Sequence, residues 1–108
     1  MNPAYNDDDD LTHIDPTGTL PRNRFRVFLY YSLGVEREDI AAIKKKSLSW
    51  VKEQLCEVYK DLHKGLPGDE ELNRRRYIGI AFTRGIFTKE NFSLTKHAEK
   101  WLRDNGRI

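Results

Sequence analysis

Apolar positions between residues 36 and 63 recur with helical spacing. Ile40, Ile43, Leu48, Val51, Leu55, Val58 and Leu62 fall within about half of a wheel turned ~100° per residue, and Lys45, Lys46, Lys52, Glu53, Glu57, Lys60 and Asp61 lie outside that arc. Lys44 sits in the middle of the apolar face. Its side chain must snorkel to water, or the helix must break near 44–47, where Ser47 would cap a second helix. The pattern therefore predicts helices over 36–44 and 47–63.

Upstream, Phe25, Val27, Phe28, Leu29, Tyr30, Tyr31 and Leu33 form an apolar run opened by Pro21 and closed by Gly34. A buried strand would have the same look, but Pro suits a first helical turn and Gly a left-handed stop, which favours a helix over 22–33. At the far end, Ser93 opens a helix over 93–104 whose Leu94, Ala98, Trp101 and Leu102 share a face, and Asn105-Gly106 closes it. Between these, Gly65-Leu66-Pro67-Gly68 is a turn by composition, and Asp69 suits a cap with Glu70 and Glu71 behind it. Tyr77-Ile78-Gly79-Ile80-Ala81-Phe82 fits helix or strand equally, and Ile86-Phe87 fits a short strand. Residues 69–87 are thus either a fifth helix or a short β-ribbon, and the ribbon would make the whole winged-helix-like. Residues 1–20 carry scattered apolar groups among Pro3, Pro16 and Gly18 and are expected to be a disordered tail. The expected architecture is mainly α: an acidic disordered tail over 1–20 and a single helical domain over 21–108.

A length of 108 residues suits one domain. No run approaches the ~18 apolar residues of a spanning helix, and no basic residue followed by an apolar run opens the chain, so neither membrane nor secretory leader is expected. The compartment expected is the cytoplasm or nucleus. Cys56 is the lone cysteine and faces away from the apolar arc; His13, His63 and His97 have no ligand spacing. Neither a phosphate loop nor a nucleophile elbow is present. The chain is read as a non-enzyme without metal or cofactor. Trp50 and Trp101 read as core or interface anchors. Asn2-Pro3-Ala4-Tyr5 matches a short motif bound by phosphotyrosine-binding-type domains, as four residues often do by chance.

Charge changes this picture. The net charge is +2, but residues 1–20 hold five aspartates and no Lys or Arg, so the other 88 residues carry 19 basic and 12 acidic groups, or +7. A basic body points to a polyanionic partner, because clustered cations release counterions from a phosphate backbone. The clusters are Lys44-Lys45-Lys46 with Lys52 beyond them, and Arg74-Arg75-Arg76. Lys and Arg position a protein on phosphates, and polar residues at a helix start, here Ser47 and Ser49, can reach base edges. The bland alternative for each cluster is a solvated helix face.

Leu33-Gly34-Val35-Glu36-Arg37-Glu38-Asp39-Ile40-Ala41-Ala42-Ile43 has the form of two helices joined at a glycine turn. Together with Ser47-Leu48 and Val51 it resembles the helix-turn-helix of sigma-factor region four and of LuxR-type regulators, where a Leu-Gly-Val turn precedes apolar residues at the places of Ile40 and Ile43. A second register over residues 25–62 also fits. There Phe28 to Leu33 is a scaffold helix, Glu38-Asp39-Ile40-Ala41 lies in the first motif helix, Lys44-Lys45-Lys46-Ser47 is the turn, and Leu48 to Leu62 is the groove-reading helix. Each register departs from the family. The first has Tyr30 where a small residue is usual, and acidic residues open its reading helix; the second lacks the turn glycine and has Lys44 at an apolar place. An ordinary helical hairpin would match nearly as well.

The resemblance implies a nucleic-acid-binding regulator of transcription, with double-stranded DNA as partner and Lys44, Lys45, Lys46, Ser47, Ser49, Lys52, Arg74, Arg75 and Arg76 as contact residues. The alternative is a small protein-interaction module or viral accessory protein that docks a partner through aromatic and basic residues. Homodimerisation stays open in both readings.

Overall fold

The computed structural model describes residues 12–64 and 73–108. Five helices follow in order: α1 (Arg22–Ser32), α2 (Arg37–Lys44), α3 (Leu48–His63), α4 (Arg74–Thr83) and α5 (Lys96–Asp104). No strand occurs among the described residues. Over the described part of 69–87, from residue 73 on, the choice falls to helix: α4 starts at an Asn73 cap, whose side chain accepts from the Arg76 N–H, and Ile86-Phe87 follow it in a bend. The Asn2–Tyr5 motif, Asp7 to Asp10, the Gly65–Gly68 turn and the Asp69 cap lie outside the described residues.

The helix ends have identifiable causes. After α1, Gly34 takes a left-handed φ of 96°, and the Gly34 and Val35 N–H groups donate back to the Tyr31 and Tyr30 carbonyls. This satisfies acceptors that a helix end leaves orphaned. Gly106 ends α5 in the same way, with Arg107 N–H on the Leu102 carbonyl at 2.8 Å. The start of α5 differs from expectation. Thr95, not Ser93, is its cap, because the Thr95 hydroxyl accepts from the Ala98 N–H.

Burial explains the packing. In α1 every residue from Phe25 to Tyr30 is buried, so the helix is enclosed rather than laid on one face. It lies against α2, α3 and α4, while α5 leans on α2. From α3, Val51, Leu55, Val58 and Leu62 point inward as their spacing requires, each contributing roughly 1.5–3 kcal/mol by leaving water. Phe87 anchors one end of the core, stacked on Phe28 at 4.9 Å and edge-on to Phe25 at 5.7 Å. Trp50 and Trp101 are partly buried and pack against the core.

The segment 12–20 departs from the disordered tail expected for it. His13, Asp15 and Leu20 are buried. Both Asp15 carboxylate oxygens are engaged: Oδ1 accepts from the Thr17 N–H and hydroxyl, and Oδ2 from the Leu20 N–H at 2.8 Å. That turn carries Leu20 into the core. The fully buried Arg26 donates its Nε–H to the His13 carbonyl at 3.1 Å, and the Asn91 amide bridges the Ile14 and Ile86 carbonyls. The folded unit therefore reaches back to residue 12 rather than beginning at 21.

Candidate nucleic-acid interface

Of the two options at Lys44, the chain takes the break: a three-residue turn separates α2 from α3. α2 ends at Lys44, which is half-buried; Lys45 adopts φ 56°, ψ 45°, and Lys46 N–H donates to the Ala41 carbonyl at 2.9 Å. Ser47 then caps α3 by accepting from the Trp50 N–H at 3.1 Å. Lys45 is the only non-glycine residue with positive φ among the described residues. A side chain in that conformation costs roughly 1–2 kcal/mol that glycine would not.

α2 is fixed from behind. Ile40, Ala41 and Ile43 are buried, Asp39 accepts from Arg107 Nε at 3.0 Å, and His97 Nε2 hydrogen-bonds the Ile43 carbonyl at 3.3 Å. α3 by contrast keeps Ser49, Lys52, Glu53, Cys56 and Lys60 exposed. Its later cations are neutralised locally: Lys60 pairs with Glu57 at 3.8 Å and Lys64 with Asp61 at 3.5 Å. Among the described residues, Lys45, Lys46 and Lys52 near the start of α3 have no carboxylate within ion-pair distance. Lys46 there lies over the Trp50 ring, 5.5 Å from its centroid.

The arginine triplet is split by the helix. Arg74 reaches back to the end of α1, with its guanidinium 4.8 Å from the Tyr31 ring centroid and Nη1 donating to the Tyr31 carbonyl at 3.3 Å. Arg37, from the start of α2, lies over the same ring at 5.9 Å. Arg75 and Arg76 instead line a depression of about 370 Å³ on α4, with Gly79, Ile80, Thr83 and Arg84. Tyr31 is the residue shared by Arg74, which lies over its ring, and by the cleft that Lys52 lines. Lys52 shares a cleft of about 340 Å³ with Tyr31, Arg37, Leu55, Cys56 and Tyr59. Tyr59 stacks on Tyr77 at 4.2 Å, and burial, aided by the neighbouring Tyr31 and Tyr77 hydroxyls, pushes its phenol up to about 12.

Sequence reasoning missed Tyr31, Arg37, Tyr59 and Arg84. Tyr31 was absorbed into an apolar run, and Arg37 stood among acidic neighbours. The one available signal was Arg37 placed just past the glycine turn that follows Tyr31.

Among the described residues no three His, Cys, Asp or Glu side chains group as metal ligands, and no helix is long and apolar enough to cross a membrane. No family model, curated protein or solved structure matches the chain.

Proposed function

We propose that the protein binds double-stranded DNA as a non-enzymatic regulator of transcription, with α2, the 45–47 turn and α3 acting as a helix-turn-helix. The observation that carries this reading is the left-handed Lys45 between α2 and the Ser47 cap. A lysine occupies the left-handed conformation that the resembling family fills with glycine, which supports the second register, while Lys44 at an apolar place still departs from it. The fixing of α2 by Arg107 and His97 favours that register over the first. A helix read by a DNA groove needs an exposed face, which α3 has over Ser49, Lys52, Glu53, Cys56 and Lys60, whereas α2 exposes only Arg37, Glu38 and Ala42. Lys45, Lys46 and Lys52 would then contact phosphates, Ser49 a base edge, and Ser47 would orient the helix start.

A mobility-shift titration of a random-sequence duplex at two salt concentrations tests this. Affinity should fall steeply with salt, as counterion release requires. The Lys45→Ala, Lys46→Ala double variant should bind more weakly with a shallower slope. Binding indifferent to both salt and these substitutions would sink the proposal.

A second reading, docking of a protein partner, is favoured by Phe82, which is 42 % exposed on α4. An apolar contact of that kind would keep its affinity as salt rises.

A further inference from the structure

The cleft between the end of α1, the start of α2 and the middle of α3 has a composition that the helix-turn-helix reading does not need. Its floor is apolar, made by Leu55 and the Tyr31 and Tyr59 rings; Arg37 and Lys52 supply the charge, and no carboxylate lines it. Arg74 adds a third cation over Tyr31. Arg37, Lys52 and Arg74 have no carboxylate partner within ion-pair distance among the described residues, although the chain has acidic groups enough to provide one. Arg37 and Lys52 line one cleft without counter-charge, and a bound anion would offset their mutual repulsion. The two guanidiniums are held in place by the Tyr31 ring, and Arg74 also by the Tyr31 carbonyl, so little side-chain freedom is left to lose on binding. The volume of about 340 Å³ falls at the lower end of small-ligand sites.

We propose that this cleft binds a nucleotide, with Arg37 and Lys52 on the phosphate oxygens, Arg74 adding positive charge from beside Tyr31, and a face of the base set against Tyr59 and Leu55. A guanidinium fork matches phosphate oxygens in pairs, which suits Arg37 to the anion, and Lys52 supplies a point charge. Tyr31 is the positioning residue. The phosphate could be carried by a free mononucleotide or by a nucleic-acid strand, and the chemistry recognised is the same. The cleft shares Lys52 with the helix-turn-helix reading, but the 45–47 turn does not line it.

Cys56 lines the cleft, is exposed and is the lone cysteine, so it reports occupancy directly. Its alkylation by neutral iodoacetamide is followed on the full chain with adenosine 5′-monophosphate, inorganic phosphate, adenosine, or a short single-stranded oligonucleotide. Adenosine 5′-monophosphate or the single strand should slow the reaction several-fold, and whichever does so identifies the source of the phosphate. Adenosine should have no effect. Protection should be lost in Arg37→Gln, Arg74→Gln and kept in Lys89→Gln, with circular dichroism confirming that each variant is folded. Equal protection by adenosine, protection that survives the double arginine variant, or no protection by any phosphate-bearing probe each overturns the proposal. Loss of duplex binding in the Lys45, Lys46 variant with protection by the mononucleotide intact would separate the two sites.

Discussion

The hydroxyls of Tyr30 and Thr95 meet at 2.8 Å in the interior, joining the enclosed α1 to the cap of α5. Both residues are almost wholly buried, Tyr30 at 0 % and Thr95 at 1 % exposed. Tyr30→Phe removes one buried hydrogen bond while keeping the ring and should cost about 0.5–1.5 kcal/mol. Thr95→Val removes that bond and the cap on Ala98 together, so its cost should be larger by about 1 kcal/mol. Urea midpoints of the two variants check the order; a Thr95→Val midpoint above that of Tyr30→Phe would contradict it.

Stability and binding should part company at Lys45. Replacement by glycine removes the strain of the left-handed side chain and should raise stability by up to about 1 kcal/mol. The same change removes a cation from the turn, and each lost phosphate contact lowers the salt slope by about 1. A higher melting temperature with weaker, less salt-sensitive duplex binding is the expected outcome. Unchanged binding would mean that Lys45 only ends a helix.

The segment 12–20 should matter to the fold. Asp15→Ala withdraws the acceptor for the Thr17 and Leu20 N–H groups, and hydrogen bonds to a charged acceptor contribute about 1.5–3 kcal/mol. Deleting residues 1–20 should do more, since Arg26 Nε would lose the His13 carbonyl inside the core. A deletion protein that melts within a degree or two of the intact chain, by calorimetry, would show that this packing contributes little.

Tyr59 gives a pH signature. Its phenol is raised from the ordinary 10.0 to about 12 in the fold. The proton is therefore held more tightly folded than unfolded. Its contribution to stability is complete below pH 10.0 and is lost as pH rises through about 12. Tyr59→Phe should be distinctly less sensitive to alkali across that window when urea midpoints are compared. Parallel pH profiles for the two proteins would place the Tyr59 hydroxyl in water.

Much of the helical layout was legible because single residues marked it. Lys44 on an apolar face required a snorkelling side chain or a break, Ser47 offered the cap for a break, and Gly34 and Gly106 supplied left-handed stops. Residues 77–82 were ambiguous because Tyr, Ile and Phe satisfy either period, and only the Asn73 cap and the packing of Tyr77 and Ala81 decide for helix. The segment 12–20 was illegible for another reason: it is held by side chain–backbone bonds, which leave no periodicity. Arg26 carried no signal of burial, since a cation in an apolar run reads as a surface position. For the candidate site, the lysine triplet could be seen as a run, but Arg74 over Tyr31 joins residues 43 apart, a contact that no local pattern encodes.

Asn91 has a consequence for how the molecule opens. Its amide group holds the Ile14 carbonyl, 77 residues away, and the Ile86 carbonyl, while its side-chain oxygen accepts from the Thr88 N–H. Ser93, two residues on, meets His13. Neither the early segment nor the 88–93 loop can detach without stripping buried partners from the other. The two belong to one cooperative unit although they come from opposite ends of the chain, so their amide protons should exchange with a shared opening free energy. Closing so long a loop also adds entropy cost when the chain folds. This clasp is therefore expected to form late and to be the first part of the molecule to let go.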